Sequence, residues 1–80
     1  MDNDEIFNTL KELFVSDFEV DAGIISPEKH LENDLGLDSL DMVDALLSLK
    51  DHIGDKVNPG LFKNARTVQD VVNLLQPLWK

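Results

Sequence analysis

The sequence predicts an all-α domain, a four-helix bundle with a short third helix and a long first loop. Three observations carry this. Apolar residues recur at three- and four-residue spacing in separate stretches. Capping and breaking residues bracket those stretches. The chain has 80 residues, of which 42% are hydrophobic, enough for one small core and no second domain. A domain of this size buries only about 60% of its unfolded surface, so its stability is marginal.

The first helix is expected over residues 3–17. Ile6, Leu10, Leu13, Phe14 and Phe18 give the amphipathic spacing, and Asn3, Asp4 and Glu5 suit its start. Residues 18–37 read as a connection punctuated by Gly23 and Pro27, with one short turn at Ser26-Pro27-Glu28. A loop this long is expected to be packed or functional, and Ile24, Ile25, Leu31, Leu35 and Leu37 are its anchors to the core.

The second helix is expected from about Ser39 to Ile53. Met42, Ala45, Leu46, Leu49 and Ile53 share one face, while Leu40, Val43 and Leu47 share another. An edge helix cannot easily bury both, so two readings stand: one face is core and the other an apolar patch rimmed by Asp41, Asp44, Lys50 and Asp51, or both faces are buried. Gly54 suits a C′ position. Asn58-Pro59 offers a cap and a first-turn proline for a short third helix reaching Lys63, anchored by Leu61 and Phe62. Thr67-Val68-Gln69-Asp70 has the form of a capping box, with Asp in place of Glu or Gln. Val68, Val71, Val72 and Leu75 then give the last helix, over residues 68–76, which Pro77 stops. Trp79 is expected to fold back on the surface.

The net charge is −9. Phosphate backbones repel such a chain, so nucleic acid is excluded as a partner and basic patches are favoured. The charge is uneven: residues 1–49 hold thirteen of the sixteen acids and two of the seven bases. No cysteine is present, so any thiol chemistry must come from an added group. No apolar run approaches 18 residues and no signal peptide is evident; a soluble, cytoplasmic monomer without membrane insertion is expected. His30 and His52 have no metal-ligand spacing and no neighbouring nucleophile, and both are expected to be solvated. Asp34 to Asp44 does not follow the calcium-loop order; loose divalent-cation binding among Asp34, Asp38 and Asp41 would be charge screening, and no metal site is expected. No complete active site emerges.

One stretch remains, Asp34-Leu35-Gly36-Leu37-Asp38-Ser39-Leu40-Asp41. A glycine turn leads into a helix that starts at Asp38-Ser39, which sets a hydroxyl at the positive end of a helix. On this chemistry alone Ser39 or Asp38 is better read as a simple N-cap. The octapeptide, however, resembles the attachment motif of acyl carrier proteins, with Leu35, Gly36, Asp38, Leu40 and Asp41 all in place, and the resemblance runs from the first helix to Leu75.

That resemblance implies a single carrier domain over residues 1–80 with no active site of its own. A phosphopantetheinyl transferase, with magnesium, joins 4′-phosphopantetheine from coenzyme A to Ser39, and Asp38 positions the serine. The arm's thiol carries acyl groups as thioesters to ketosynthases and other enzymes of fatty-acid, polyketide or polyene biosynthesis. Leu40, Asp41, Val43, Asp44, Leu47 and Lys50 are the implied docking surface, and Leu46, Phe62, Val68 and Val72 the implied walls of an acyl pocket. The segment departs from the family after Leu49. Lys50-Asp51-His52 stands at the end of the second helix, where the family often has several acids. Lys56, Lys63 and Arg66 add positive charge to the next segment, and Phe62-Lys63 followed by Arg66-Thr67-Val68-Gln69-Asp70-Val71-Val72 resembles carriers of specialised clusters such as aryl-polyene pathways. Two other readings stay open, an aminoacyl or peptidyl carrier using the same serine, and a helical interaction module with no prosthetic group.

Overall fold

The computed structural model describes residues 3–54, 58 and 60–79. Helix α1 spans Asn3–Phe18. It buries Ile6, Leu10 and Phe14 on one stripe and packs against the last helix and the second. Phe18 meets Phe14 edge to face, with centroids 6.4 Å apart, an arrangement favoured by the ring quadrupoles. The chain leaves α1 through Glu19 at φ 57°, and the Val20 N–H reaches back to the Phe14 carbonyl at 3.1 Å. This reversal drops Val20 into the core.

The long connection that follows is packed. Ile25, Leu31, Leu35 and Leu37 are buried, but Ile24 is 42% exposed. The reason is local. The Asp21 side chain caps a 3₁₀ turn over Ala22–Ile24, which turns Ile24 outward and leaves the inward place to Ile25. Ser26 donates to the Glu28 carboxylate at 2.9 Å; backbone hydrogen bonding first, and this hydroxyl second, hold Glu28 below the ordinary carboxylate range. The connection then runs antiparallel to the start of the last helix, where His30 pairs with Thr67 in a single bridge.

Helix α2 covers Ser39–Ser48 and α3 covers Lys50–Ile53, so the single helix expected over residues 39–53 is broken. At the break Leu49 sits at φ −86°, ψ 2°, and its N–H is shared among the Ala45, Leu46 and Leu47 carbonyls. No proline or glycine marks the spot. Leu49 and Ile53 stay buried on either side of it. Gly54 ends α3 at φ 65°, its N–H donating to the Lys50 carbonyl.

The expected third helix is not formed among the described residues 60–64, which make successive i to i+3 turns: Lys63 N–H to Gly60 O at 3.1 Å and Ala65 N–H to Phe62 O at 3.0 Å. Asn58 spends its side chain on the Gly60 N–H at 2.9 Å, and Pro59 lies outside the described residues. The fold still has four α-helices, the third of them short, and no strand among the described residues. Helix α4, Val68–Leu75, buries Val68, Val71, Val72 and Leu75. A 3₁₀ turn over Gln76–Leu78 with Pro77 at its start follows.

Trp79 and the histidines correct the sequence reading. Trp79 folds back as expected, but it is buried at 9% exposure rather than lying on the surface. The His52 ring stacks on it, with centroids 4.5 Å apart and planes 9° from parallel. Neither histidine is fully solvated; both are half-buried, and His30 Nδ1 accepts from the Asn33 N–H at 3.4 Å. The stack of His52 on Trp79 is long-range and leaves no local signature.

Candidate functional site

The approach to Ser39 is a tight backbone turn. Leu35 and Leu37 are buried on either side of Gly36, which holds φ 72°. A Cβ on Gly36 would meet nothing within 4 Å, so conformation and not space calls for glycine; an L-residue there costs roughly 1–2 kcal/mol. The Leu37 N–H donates to the Leu31 carbonyl at 2.9 Å, which fixes where the next two residues emerge.

Asp38 is then the N-cap of α2. Its carboxylate accepts from the Asp41 N–H at 2.9 Å, and the Asp41 carboxylate accepts from the Asp38 N–H at 3.2 Å, closing a reciprocal capping box. Ser39 is therefore the first helical residue and not the cap. It is exposed. Among the described residues neither its hydroxyl nor the N–H groups of Ser39 and Leu40 have a hydrogen-bond partner. Unpartnered N–H groups in a first turn favour an adjoining anion.

The surrounding side chains divide into two surfaces. Leu40 is 74% and Leu47 54% exposed, Asp44 and Lys50 are exposed, and Asp41 and Val43 are half-buried. The opposite face of α2 and α3 carries the buried Met42, Ala45, Leu46, Leu49 and Ile53. Lys56 lies outside the described residues.

Beside Ser39 lies a cleft of about 370 Å³. Its apolar walls are Leu31, Leu37, Met42, Val43, Phe62 and Ala65, and it is also lined by Asp38, Ser39, Glu32, His30, Lys63 and Arg66. Of the four sequence-derived pocket residues only Phe62 borders this space. Leu46, Val68 and Val72 are at most 1% exposed and lie in closed core, because α1 packs on α4 and α2 from the other side. Val43, assigned to the outer face, borders the cleft as well. Sequence reasoning missed Leu31, Leu37, Met42 and Ala65 as walls. The available signal was weak: Lys63 and Arg66 flank Phe62 and Ala65 at short spacing, but the approach of that segment to Ser39 is long-range. Among the described residues no three His, Cys, Asp or Glu side chains converge as metal ligands, and no helix is long and apolar enough to cross a membrane.

An exposed serine thus opens a capped helix next to a lined cleft. Comparison with known proteins identifies the family. The family model for the phosphopantetheine attachment site matches residues 8–75. Acyl carrier protein 2 of Ralstonia nicotianae is 37% identical over 78 residues, covering 98% of this chain and 96% of that one. The acyl carrier protein of Lactobacillus acidophilus is 36% identical over 76 residues, 95% of each chain. The solution structure of the apo doublet acyl carrier protein from prodigiosin biosynthesis superposes with a TM-score of 0.72 at 24% identity, over all of this chain and 40% of that one; it speaks for the fold. The chain belongs to the acyl carrier protein family, whose prosthetic group is 4′-phosphopantetheine.

Proposed function

We propose that Ser39 is the residue that takes the phosphopantetheine arm, and that the chain works as a carrier with no active site of its own. The observation that carries this is the exposed Ser39 hydroxyl at the first position of α2, beside two N–H groups without partners among the described residues. The charged oxygens of a phosphoryl group bonded through phosphorus to Ser39 Oγ would lie at the end of α2 that favours negative charge. Asp38 leaves the hydroxyl uncommitted by doing the capping itself, and so positions the serine without touching the new bond. When attached, the arm supplies a terminal thiol that carries the acyl group as a thioester.

Docking falls to the outer face of α2. Leu40, Val43 and Leu47 give an apolar strip, with Asp41 and Asp44 at its acidic edge and Lys50 beyond. Transferase and ketosynthase surfaces of opposite charge would be steered to the acidic part, and weak contacts let the carrier leave again. Lys50 interrupts the acidic edge and disfavours partners that present a base there, which suits enzymes of a specialised cluster.

The test is direct. Wild type and Ser39→Ala are incubated with coenzyme A and a phosphopantetheinyl transferase and weighed by mass spectrometry. Wild type gains the arm and the variant does not. The variant keeps its helical circular dichroism and loses no more than about 0.5 kcal/mol of stability, since the cap is Asp38. A wild type that gains no mass removes the carrier reading; a variant that gains it moves the site elsewhere.

A further inference from the structure

We propose that Lys63 and Arg66 make the cleft beside Ser39 an anion-accepting subsite for the ligand borne on the arm, an acidic oxygen group held at the cationic wall with an apolar body behind it. The inference rests on attachment at Ser39 and adds what the cleft selects.

The cleft is polarised. Its acids, Glu32 and Asp38, come from the first connection and the start of α2, and the Asp38 carboxylate is already occupied by the Asp41 N–H. Its cations, Lys63 and Arg66, come from the segment on the other side. They are two of only seven bases in a chain of net charge −9. Neither forms an ion pair within 4 Å among the described residues.

Both cations stand on a held backbone. The Arg66 carbonyl accepts from the Leu31 N–H at 2.8 Å, and the Arg66 N–H donates to Asp70 Oδ2 at 3.0 Å. The Lys63 N–H is bonded to the Gly60 carbonyl at 3.1 Å. Between them Ala65 is too small to fill the space, and the buried Phe62 with Met42 supplies the apolar floor. Lys63 and Arg66 are exposed, and a plain alkyl end laid against their charged heads would displace part of their water without replacing it, which is unfavourable. A carboxylate or phosphate oxygen would instead form charge-assisted hydrogen bonds to them. Two sources supply such an oxygen, the phosphodiester of the arm itself or a distal carboxylate on its cargo.

The experiment uses ¹⁵N-labelled full chain, wild type and the Lys63→Gln/Arg66→Gln double variant. Each is prepared unmodified and loaded at Ser39 from coenzyme A, butyryl-coenzyme A or succinyl-coenzyme A, and the mass gain is verified first. Butyryl and succinyl cargo have four carbons each and differ in the terminal carboxylate. If the cargo carboxylate is the ligand, succinyl moves the amide resonances of Lys63, Ala65 and Arg66 about two-fold or more beyond butyryl, and this excess vanishes in the double variant and in high salt. If the arm's phosphate is the ligand, the same charge-dependent displacement is present with the arm alone and does not grow with cargo. Loaded protein whose displacements are the same in wild type and double variant overturns the subsite while leaving attachment intact. Absence of any mass gain overturns attachment itself.

Discussion

At the start of α2 the Asp38 side chain accepts from the Asp41 N–H at 2.9 Å; at the start of α4 the Thr67 hydroxyl accepts from the Asp70 N–H at 3.2 Å. In both, the third helical residue is an aspartate that returns a bond to the cap's own N–H. What differs is the rest of the turn. In α4 the Val68 N–H donates to the Lys29 carbonyl at 3.1 Å and the Gln69 N–H to the Pro27 carbonyl at 2.9 Å, so the long first connection supplies partners for the two donors that a capping box leaves over. In α2 the corresponding donors, on Ser39 and Leu40, meet no protein acceptor among the described residues. The same local device thus makes a closed structural joint at one helix and an open, positively polarised end at the other. The chain spends its loop on α4, and the start of α2 is left open.

Amide hydrogen exchange gives the largest expected contrast. The Val68 and Gln69 amides should exchange only through opening of the loop from α4, whereas Ser39 and Leu40 should exchange near the rate of an unstructured chain. With a global stability near 5 kcal/mol, the protection factors differ by roughly 10³-fold. Comparable protection at the two helix starts would break the comparison, since it would mean that α2 is covered too.

Removing the caps probes the same difference on a smaller scale. Thr67→Ala takes an acceptor from a half-buried turn pressed against the loop, and is expected to cost about 1–2 kcal/mol. Asp38→Ala acts at an exposed turn where water can replace the carboxylate, and is expected to cost about 0.5–1 kcal/mol. Urea unfolding midpoints of the two variants decide it. A larger loss for Asp38→Ala would show that the α2 start carries more of the fold than its exposure implies.

Much of this was legible locally. The stripe Ile6, Leu10, Phe14 and the stripe Val68, Val71, Val72, Leu75 are periodic over single segments, and Thr67 through Asp70 holds its whole capping box within four residues. The octapeptide around Ser39 is equally local. What escaped depends on contacts between distant segments. The break at Leu49 has no composition signal, because the shared N–H and the burial of Leu49 and Ile53 on either side of it are set by packing. The stack of His52 on Trp79 joins residues 27 positions apart. The cleft is built by bringing residues 60–66 against Ser39, and that approach decides why Phe62 borders open space while Leu46, Val68 and Val72 are sealed.

The smallest expected effect is a dependence on pH, and it belongs to α4. Asp70 Oδ2 accepts from the Arg66 N–H at 3.0 Å and from the Thr67 N–H at 3.1 Å. These backbone bonds, first Arg66 and then Thr67, hold the carboxyl below its ordinary value, with the Thr67 hydroxyl and the Arg66 charge adding to them. A carboxyl whose folded value is depressed contributes stability that is fully present above its unfolded value and is lost as pH falls through the folded one. The contribution is therefore intact at pH 7 and fades below about pH 4, where a free aspartate begins to protonate. Asp70→Asn should lower the urea midpoint at pH 7, and the gap to wild type should close as the pH is taken below about 4, because both chains then carry a neutral group at this position. A gap that is the same at both pH values would mean that the introduced amide merely packs differently, and that the ionised carboxylate at this joint contributes nothing through its charge.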